Sequence, residues 1–272
     1  MNAEDLPLVV EPDTLEAILG KRRLLVVDLC KPEVYAQYHV PGAVHLEYRR
    51  IVAVRKPAMG LLPDDATLSQ VLSSLGITPD THVVAYDDEG GGKACRLLWT
   101  LDAVGHGHYS LLNGGLHAWA NEGHRLESRT AEPIPSDYPV ASRGEAAADM
   151  AYVMRHLHDP AVVLLDARSP DEYHGVKRFA EKGGHIPGAV NLEWTAAMDL
   201  QHNLRLRPAS ELRQILQDLG VTEDREVITY CQTHHRSAYS YFMLKALGYP
   251  RIKAYPGSWS EWGNSPDTPV ET

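Results

Sequence analysis

Continuous apolar runs, rather than alternating ones, mark the candidate strands of this chain. LLVVD at 24–28, HVVAYD at 82–87, VVLLD at 162–166 and EVITYC at 226–231 each run without a polar interruption into a polar residue or a short loop. That pattern suits strands buried on both faces of a parallel sheet. Between them, TLSQVLSSLGI at 67–77 and ASELRQILQDLGV at 209–221 space their leucines for one helical face and stop at glycine. ACRLLWTLDAVG and AYSYFMLKALG do the same, ending at Gly105 and Gly248. Strands alternating with helices predict an α/β fold with a mostly parallel sheet flanked by helices.

The order of signals occurs twice. HVPGAVHLEY at 39–48 matches HIPGAVNLEW at 185–194, and the flanking strand and helix patterns keep the same sequence around both. The chain therefore reads as a duplicated domain: 1–130, a linker at 131–147 and a second copy at 148–272. The linker lies within a segment rich in Pro, Ser and Glu (127–150) that breaks the pattern. The 272 residues agree with two cores, since single domains typically hold about 100 to 150.

Charge narrows the class of partner. With 26 basic against 36 acidic residues the formal charge is −10, which argues against a general nucleic-acid or anionic-membrane binder but allows a local cationic pocket. No apolar run reaches the ~18 residues that span a bilayer, and MNAEDLPLVVEP has no basic leader or long apolar core. A cytoplasmic location is expected. Three scattered cysteines, Cys30, Cys95 and Cys231, make no disulfide framework.

The two copies differ most where chemistry is concentrated. Aligned without a gap, DDEGGGKA at 87–94 lies opposite CQTHHRSA at 231–238, so Asp87 stands in the place of Cys231 and glycines stand opposite His234, His235 and Arg236. The first loop reads as a structural remnant. In the second, Cys231 follows a strand and precedes a helix beginning near Ser237. Backbone N–H groups and a helix N-terminus there favour an anion, and Arg236 adds a full positive charge. Such surroundings lower a thiol's pKa and predict a thiolate. Cys30 and Cys95, at a strand end and in a helix, read as buried core thiols.

Taken together, the paired H-[VI]-P-G-A motifs, DARSPDEY at 166–173, the cysteine loop after VITY and GSWSEWGNSPDTPVE near the C-terminus resemble a tandem-domain rhodanese, with NGGLHAW at 113–119 as a first-half echo. The resemblance covers nearly the whole chain, and the loop CQTHHRS is similar to an Azotobacter-type bacterial branch of that family. It implies two rhodanese-like domains, the first inactive, and a thiosulfate:cyanide sulfurtransferase. In such an enzyme Cys231 takes the outer sulfur of thiosulfate as a persulfide, and cyanide or a thiol removes it. It implies no cofactor and no metal, and leaves room for a protein sulfur acceptor.

The resemblance also distributes roles. Arg236 holds the anionic donor, Arg168 reaches the pocket as a second donor-binding cation, and Gln232, Thr233, His234 and His235 contribute chiefly backbone N–H groups. The side chains of His234 and His235 either raise the local potential or face solvent. Ser237 is expected to cap the following helix, Asp166 to order backbone, and Trp194 to pack in the core. Lys177 and Arg178 lie in an eight-residue insertion relative to the first copy and read as solvated charges.

Four other readings compete. A zinc site would need ligands beyond Cys231, His234 and His235, and no second cluster supplies them. A cysteine phosphatase carries C-x5-R, whereas Cys231 to Arg236 is C-x4-R, a smaller ring suited to one sulfur atom. A 3-mercaptopyruvate sulfurtransferase would carry a loop resembling CGSGVT. A persulfide carrier that hands sulfur to a partner protein would share the whole fold.

Overall fold

A computed structural model describes residues 6–140 and 145–272. Along the first half run β1 (Val9–Val10), α1 (Pro12–Glu16), β2 (Leu24–Asp28), α2 (Pro32–Gln37), β3 (Val44–His45), β4 (Ala53–Arg55), β5 (Ala58–Leu61), α3 (Asp65–Ser74), β6 (His82–Tyr86), α4 (Gly92–Ala103), β7 (Tyr109–Leu112) and α5 (Gly115–Asn121). The second half continues with α6 (Met150–Arg155), β8 (Val162–Asp166), α7 (Pro170–Tyr173), β9 (Val190–Asn191), β10 (Met198–Asp199), β11 (Arg205–Leu206), α8 (Ala209–Asp218), β12 (Glu226–Tyr230), α9 (Arg236–Ala246), β13 (Ile252–Ala254) and α10 (Ser258–Trp262). The four apolar runs read as strands are β2, β6, β8 and β12, and the four leucine-spaced stretches are α3, α4, α8 and α9. No helix among the described residues is long and apolar enough to cross a membrane.

Contacts divide the chain into two units. The first comprises Met1–Ile51, Pro63–Gly144 and Asp199–Leu206, and the second Val52–Leu62, Glu145–Met198 and Arg207–Thr272. This departs from the contiguous division expected at 1–130 and 148–272, because two short segments join the unit encoded by the other half. The physical reason is visible in their anchors. Leu206 donates its N–H to Asn113 Oδ1 at 2.9 Å, and Arg205 bonds Glu11 at 3.0 Å and Glu122 at 2.9 Å, all within the first unit. In the second, Met59 N–H donates to Ser260 Oγ at 3.1 Å. Of the expected linker, 141–144 lie outside the described residues, and 131–140 hold no helix or strand.

Both sheets repeat one topology. The first unit's order is β1-β7-β6-β2-β3 and the second's is β13-β12-β8-β9, with every pairing parallel. Ala147, bridged to Ala254, takes the place that β1 holds in the first copy. All five residues of β6 are buried, as its unbroken apolar run requires.

The shared H-[VI]-P-G-A motif is structural. His39 stacks on Tyr35 with ring centroids 4.1 Å apart and His185 on Tyr173 at 3.6 Å. Each histidine's Nδ1 reaches the same tyrosine's carbonyl, at 2.6 and 2.9 Å, and each pairs its backbone with a later segment, at Glu127 and Glu271. Burial of such rings contributes on the order of 2–3 kcal/mol apiece. The second unit's core gathers Leu164, Ile186, Ile228, Tyr230, Trp259 and Trp262 directly beneath the loop that follows β12.

Candidate active site

β12 ends at Tyr230, so Cys231 stands at the carboxyl end of a central parallel strand, where open α/β sheets present their ligand sites. The chain must then turn sharply into α9, and His234 does so with a left-handed φ of 52°. A non-glycine residue there is strained by about 1 kcal/mol. The turn brings the Ser237 hydroxyl to 3.4 Å from Sγ, donating to it, and sets the N–H groups of Thr233 and Ser237 where they favour the thiolate form of Cys231.

A second strand-end segment, GSWSEW, latches this loop. Trp259 N–H donates to the Cys231 carbonyl and Ser260 N–H to the Gln232 carbonyl, both at 2.9 Å. Cys231 N–H donates to Ser258 Oγ at 3.3 Å, and Ser258 itself has φ 52°. The β4–β5 hairpin presses from another side: a Cβ on Gly60 would lie 2.1 Å from the Thr233 carbonyl oxygen. Only glycine permits that approach.

The three thiols are electrostatically distinct. Burial alone would push Cys231 up, but the Arg236 charge, the Ser237 hydroxyl and the N–H groups of Ser237 and Thr233 outweigh it and hold the thiol below its ordinary value. Cys30 is pushed up by burial and by Asp28. Cys95 is pushed far up by burial and by Asp87. Of the three thiols, Cys231 alone is held below its ordinary value.

Arg236 is itself fixed. Its two terminal nitrogens donate to the Glu172 carboxylate at 2.6 and 2.8 Å, a bidentate fork. Burial opposes the charge of Glu172, yet Arg236 and the Ser169 hydroxyl and N–H pull it down to about 2. The same Glu172 closes a capping box with Ser169 at the start of α7, so one helix N-terminus orients the cation beside the sulfur.

His234 completes a buried chain of polar groups. Its Nδ1 lies 2.8 Å from Ser237 Oγ. Because the single hydroxyl proton of Ser237 is directed at Sγ, the oxygen accepts, and the imidazole proton belongs on Nδ1. The order His234, Ser237, Cys231 then runs donor to acceptor throughout.

These positions refine several expectations. Cys231, Thr233, His234 and Arg236 come together around the sulfur. His234 is fully buried, not facing solvent, because its ring is part of the hydrogen-bonded chain. Ser237 does not cap α9: the N-cap is His235, without a side-chain bond, and the hydroxyl turns to the sulfur instead. Gln232 donates to the Phe179 carbonyl at 3.2 Å, and His235 meets the edge of Trp194 at 5.6 Å, so Trp194 packs on the loop. Arg168, expected to bind the donor, is 1% exposed. Its guanidinium bonds Asp166 at 2.6–3.0 Å and the Gly184 carbonyl at 2.8 Å, and it lies 4.4 Å from the Trp259 ring centroid. That geometry makes it a prop beneath the loop. In the insertion, Lys177 lies over the Phe179 ring at 5.0 Å and Arg178 bonds the Gly175 carbonyl at 3.4 Å.

Glu172, Ser258 and Gly60 escaped sequence reasoning. The S-P-D-E run at 169–172 does signal a capping box, but a cap predicts nothing about a cation 64 residues away.

The first unit supplies an internal control. After β6, the buried Asp87 carboxylate accepts N–H bonds from Glu89 at 3.0 Å, Gly91 at 2.8 Å and Ala94 at 2.9 Å. Leu116 N–H holds the Asp87 carbonyl at 3.0 Å, as Trp259 holds that of Cys231. Burial and Glu89 push the Asp87 carboxyl up, against these three amides. The anion cradle thus belongs to the fold in both copies, and in one of them a carboxylate of the chain itself occupies it.

The profile of the rhodanese-like domain matches residues 11–122 and 149–265. A thiosulfate sulfurtransferase of Pseudomonas aeruginosa is 48% identical over 267 residues, covering 98% of each chain. One from Azotobacter vinelandii is 47% identical over 266 residues, 98% of this chain and 97% of its own. A 3-mercaptopyruvate sulfurtransferase of Escherichia coli is 31% identical over 240 residues, 87% and 84% of the two chains. Two matches in tandem, each ending its central strand at a cradle for one anion, place the chain in the rhodanese family.

Proposed function

We propose that this protein is a thiosulfate sulfurtransferase working through a persulfide on Cys231. The observation that carries the proposal is the electrostatic separation of Cys231 from the other two thiols: it alone is held low, by a cation, a hydroxyl and two amides. The Cys231 thiolate attacks the outer sulfur of thiosulfate. The sulfur–sulfur bond of the donor breaks, sulfite leaves with the electron pair, and a cysteine persulfide anion remains. Cyanide then attacks the terminal sulfur, forming thiocyanate and returning the thiolate. No proton or redox co-reactant is needed, and ping-pong kinetics follow.

Roles follow from position. Arg236 stabilises the thiolate and the incoming dianion, and the N–H groups of Thr233 and Ser237 cradle the sulfur, as preorganised donors do for developing charge. Gln232 and His235 shape the loop, and Arg168 supports it from below. The relatives with 47–48% identity are thiosulfate enzymes and the mercaptopyruvate enzyme is more distant, which favours thiosulfate as donor. A cytoplasmic location belongs to the same proposal, supported by three free thiols of the kind a reducing compartment maintains.

The test is thiocyanate formation with thiosulfate and 3-mercaptopyruvate in parallel, using wild type, Cys231→Ser, Cys30→Ser and Cys95→Ser. Turnover preferring thiosulfate, lost by roughly 10³-fold or more in Cys231→Ser alone, is expected. Preference for mercaptopyruvate would reassign the donor. Loading of sulfur from thiosulfate without turnover to cyanide would mark a carrier that needs a protein acceptor.

A further inference from the structure

Within the second unit lies a second recess that the sulfur chemistry does not use. It has a volume of about 650 Å³, inside the range of roughly 300–1,000 Å³ typical of small-molecule sites. Its lining carries three cations, Arg55 from the end of β4, Lys56 from the turn that follows and Arg155 from the end of α6. Among the described residues neither the Arg55 nor the Lys56 side chain has a hydrogen-bond or ion-pair partner, though the Arg55 backbone pairs with Ala58. Arg155 touches the face of Tyr152, 5.7 Å from its centroid.

The two carboxylates of the recess are already committed. Asp149 caps α6, accepting the Tyr152 N–H at 2.7 Å, and Glu261 accepts the Tyr255 hydroxyl at 2.7 Å. None of the three cations is ion-paired within 4 Å among the described residues, and they outnumber the two carboxylates of the recess in a chain of net charge −10. Mutual repulsion keeps such a cluster unfavourable until an anion joins it. The rest of the lining is of another kind: the half-buried ring of Tyr152 with Pro57 and Leu61, backed by the buried Ala58, Tyr255 and Pro256. A flat or apolar body fits there.

We propose that this recess binds an organic anion carrying two or more negative charges at one end of a flat or apolar body. The charged end meets Arg55, Lys56 and Arg155, and the body lies against Tyr152, Pro57 and Leu61. The floor is formed by Pro256 and Gly257, the residues immediately before Ser258, which holds the Cys231 N–H. A bound anion therefore rests on the segment that latches the nucleophile loop.

Isothermal titration of the full-length protein with two probes, ADP and 1-naphthyl phosphate, tests this, with pyrophosphate, adenosine, inorganic phosphate and 1-naphthol as half-ligands. Saturable binding of at least one whole probe, tighter than either of its half-ligands, is expected. It weakens at least tenfold in the Arg55→Glu, Lys56→Glu double variant, whose fold is checked by circular dichroism and by its retained thiocyanate formation. It stays within about twofold of wild type in Arg236→Ala. Three results overturn the proposal. They are no saturable binding of either probe up to 10 mM, binding lost in Arg236→Ala but kept in the double variant, or binding only of an Asp- and Glu-rich peptide.

Discussion

At the sulfur atom, four groups favour the thiolate, and the two that belong to side chains can be removed singly. Arg236→Ala deletes the cation and Ser237→Ala the hydroxyl donor, so both raise the pKa of Cys231 from its depressed position. The sign of the pH effect follows. Sulfur loading, read as kcat/KM for thiosulfate, rises with pH until the thiol is ionised and is flat above. In wild type the midpoint lies below that of an ordinary thiol, and in either variant it moves upward. Arg236→Ala also raises the thiosulfate KM, whereas Ser237→Ala, which does not carry charge, leaves KM nearly unchanged. Equal midpoints in wild type and Ser237→Ala would remove the hydroxyl from the mechanism. Glu172 acts one step further out. Its carboxyl is held at about 2 against an ordinary 4.5, so its contribution to stability is complete above the unfolded value and is lost as pH falls from 4.5 towards 2. In Glu172→Gln that acid-limb loss of stability is reduced.

At the level of elements, the active loop is clamped by segments distant in sequence. α10 and the turn before it hold the carbonyls of Cys231 and Gln232, and the β4–β5 hairpin packs on Thr233 with no room for a side chain at Gly60. Gly60→Ala therefore shifts either the hairpin or the loop. The expected effect is a loss of about 1–3 kcal/mol in chemical denaturation together with slower sulfur loading, since the Thr233 N–H is among the groups that favour the Cys231 thiolate. Wild-type stability and loading rate in this variant would contradict the close approach. In the first unit the corresponding loop is held from inside by Asp87. Asp87→Ala leaves three N–H groups, two of them buried, without their acceptor and should destabilise the protein by about 2–5 kcal/mol, without changing the rate constant of sulfur loading at Cys231 in the folded protein.

Across the whole molecule, duplication explains the architecture and exchange of segments qualifies it. Both sheets have the same strand order, yet Val52–Leu62 belong with the second unit and Asp199–Leu206 with the first. A fragment beginning at residue 145 would therefore lack β4 and β5. Expressed alone, it should load sulfur poorly and melt at lower temperature than the intact protein, and a peptide covering residues 52–62 should restore part of both. A fragment as active and as stable as the full chain would show that the hairpin's contacts are incidental.

Much of this was open to reading along the chain. Unbroken apolar runs identify β2, β6, β8 and β12 because burial on both faces of a sheet is recorded in consecutive residues, and leucine spacing identifies α3, α4, α8 and α9 for the same local reason. The duplicated motifs expose the repeat, and a thiol between a strand and a helix, five positions before Arg236, marks the loop found at the end of β12. The pairing of Glu172 with Arg236, the turning of Ser237 from helix cap to sulfur donor, the burial of Arg168 against Asp166 and Trp259, and the crossing of two hairpins were decided by tertiary structure alone. Each depends on which distant groups meet when the sheets close. Local periodicity and capping signals carry no information about partners dozens of residues away.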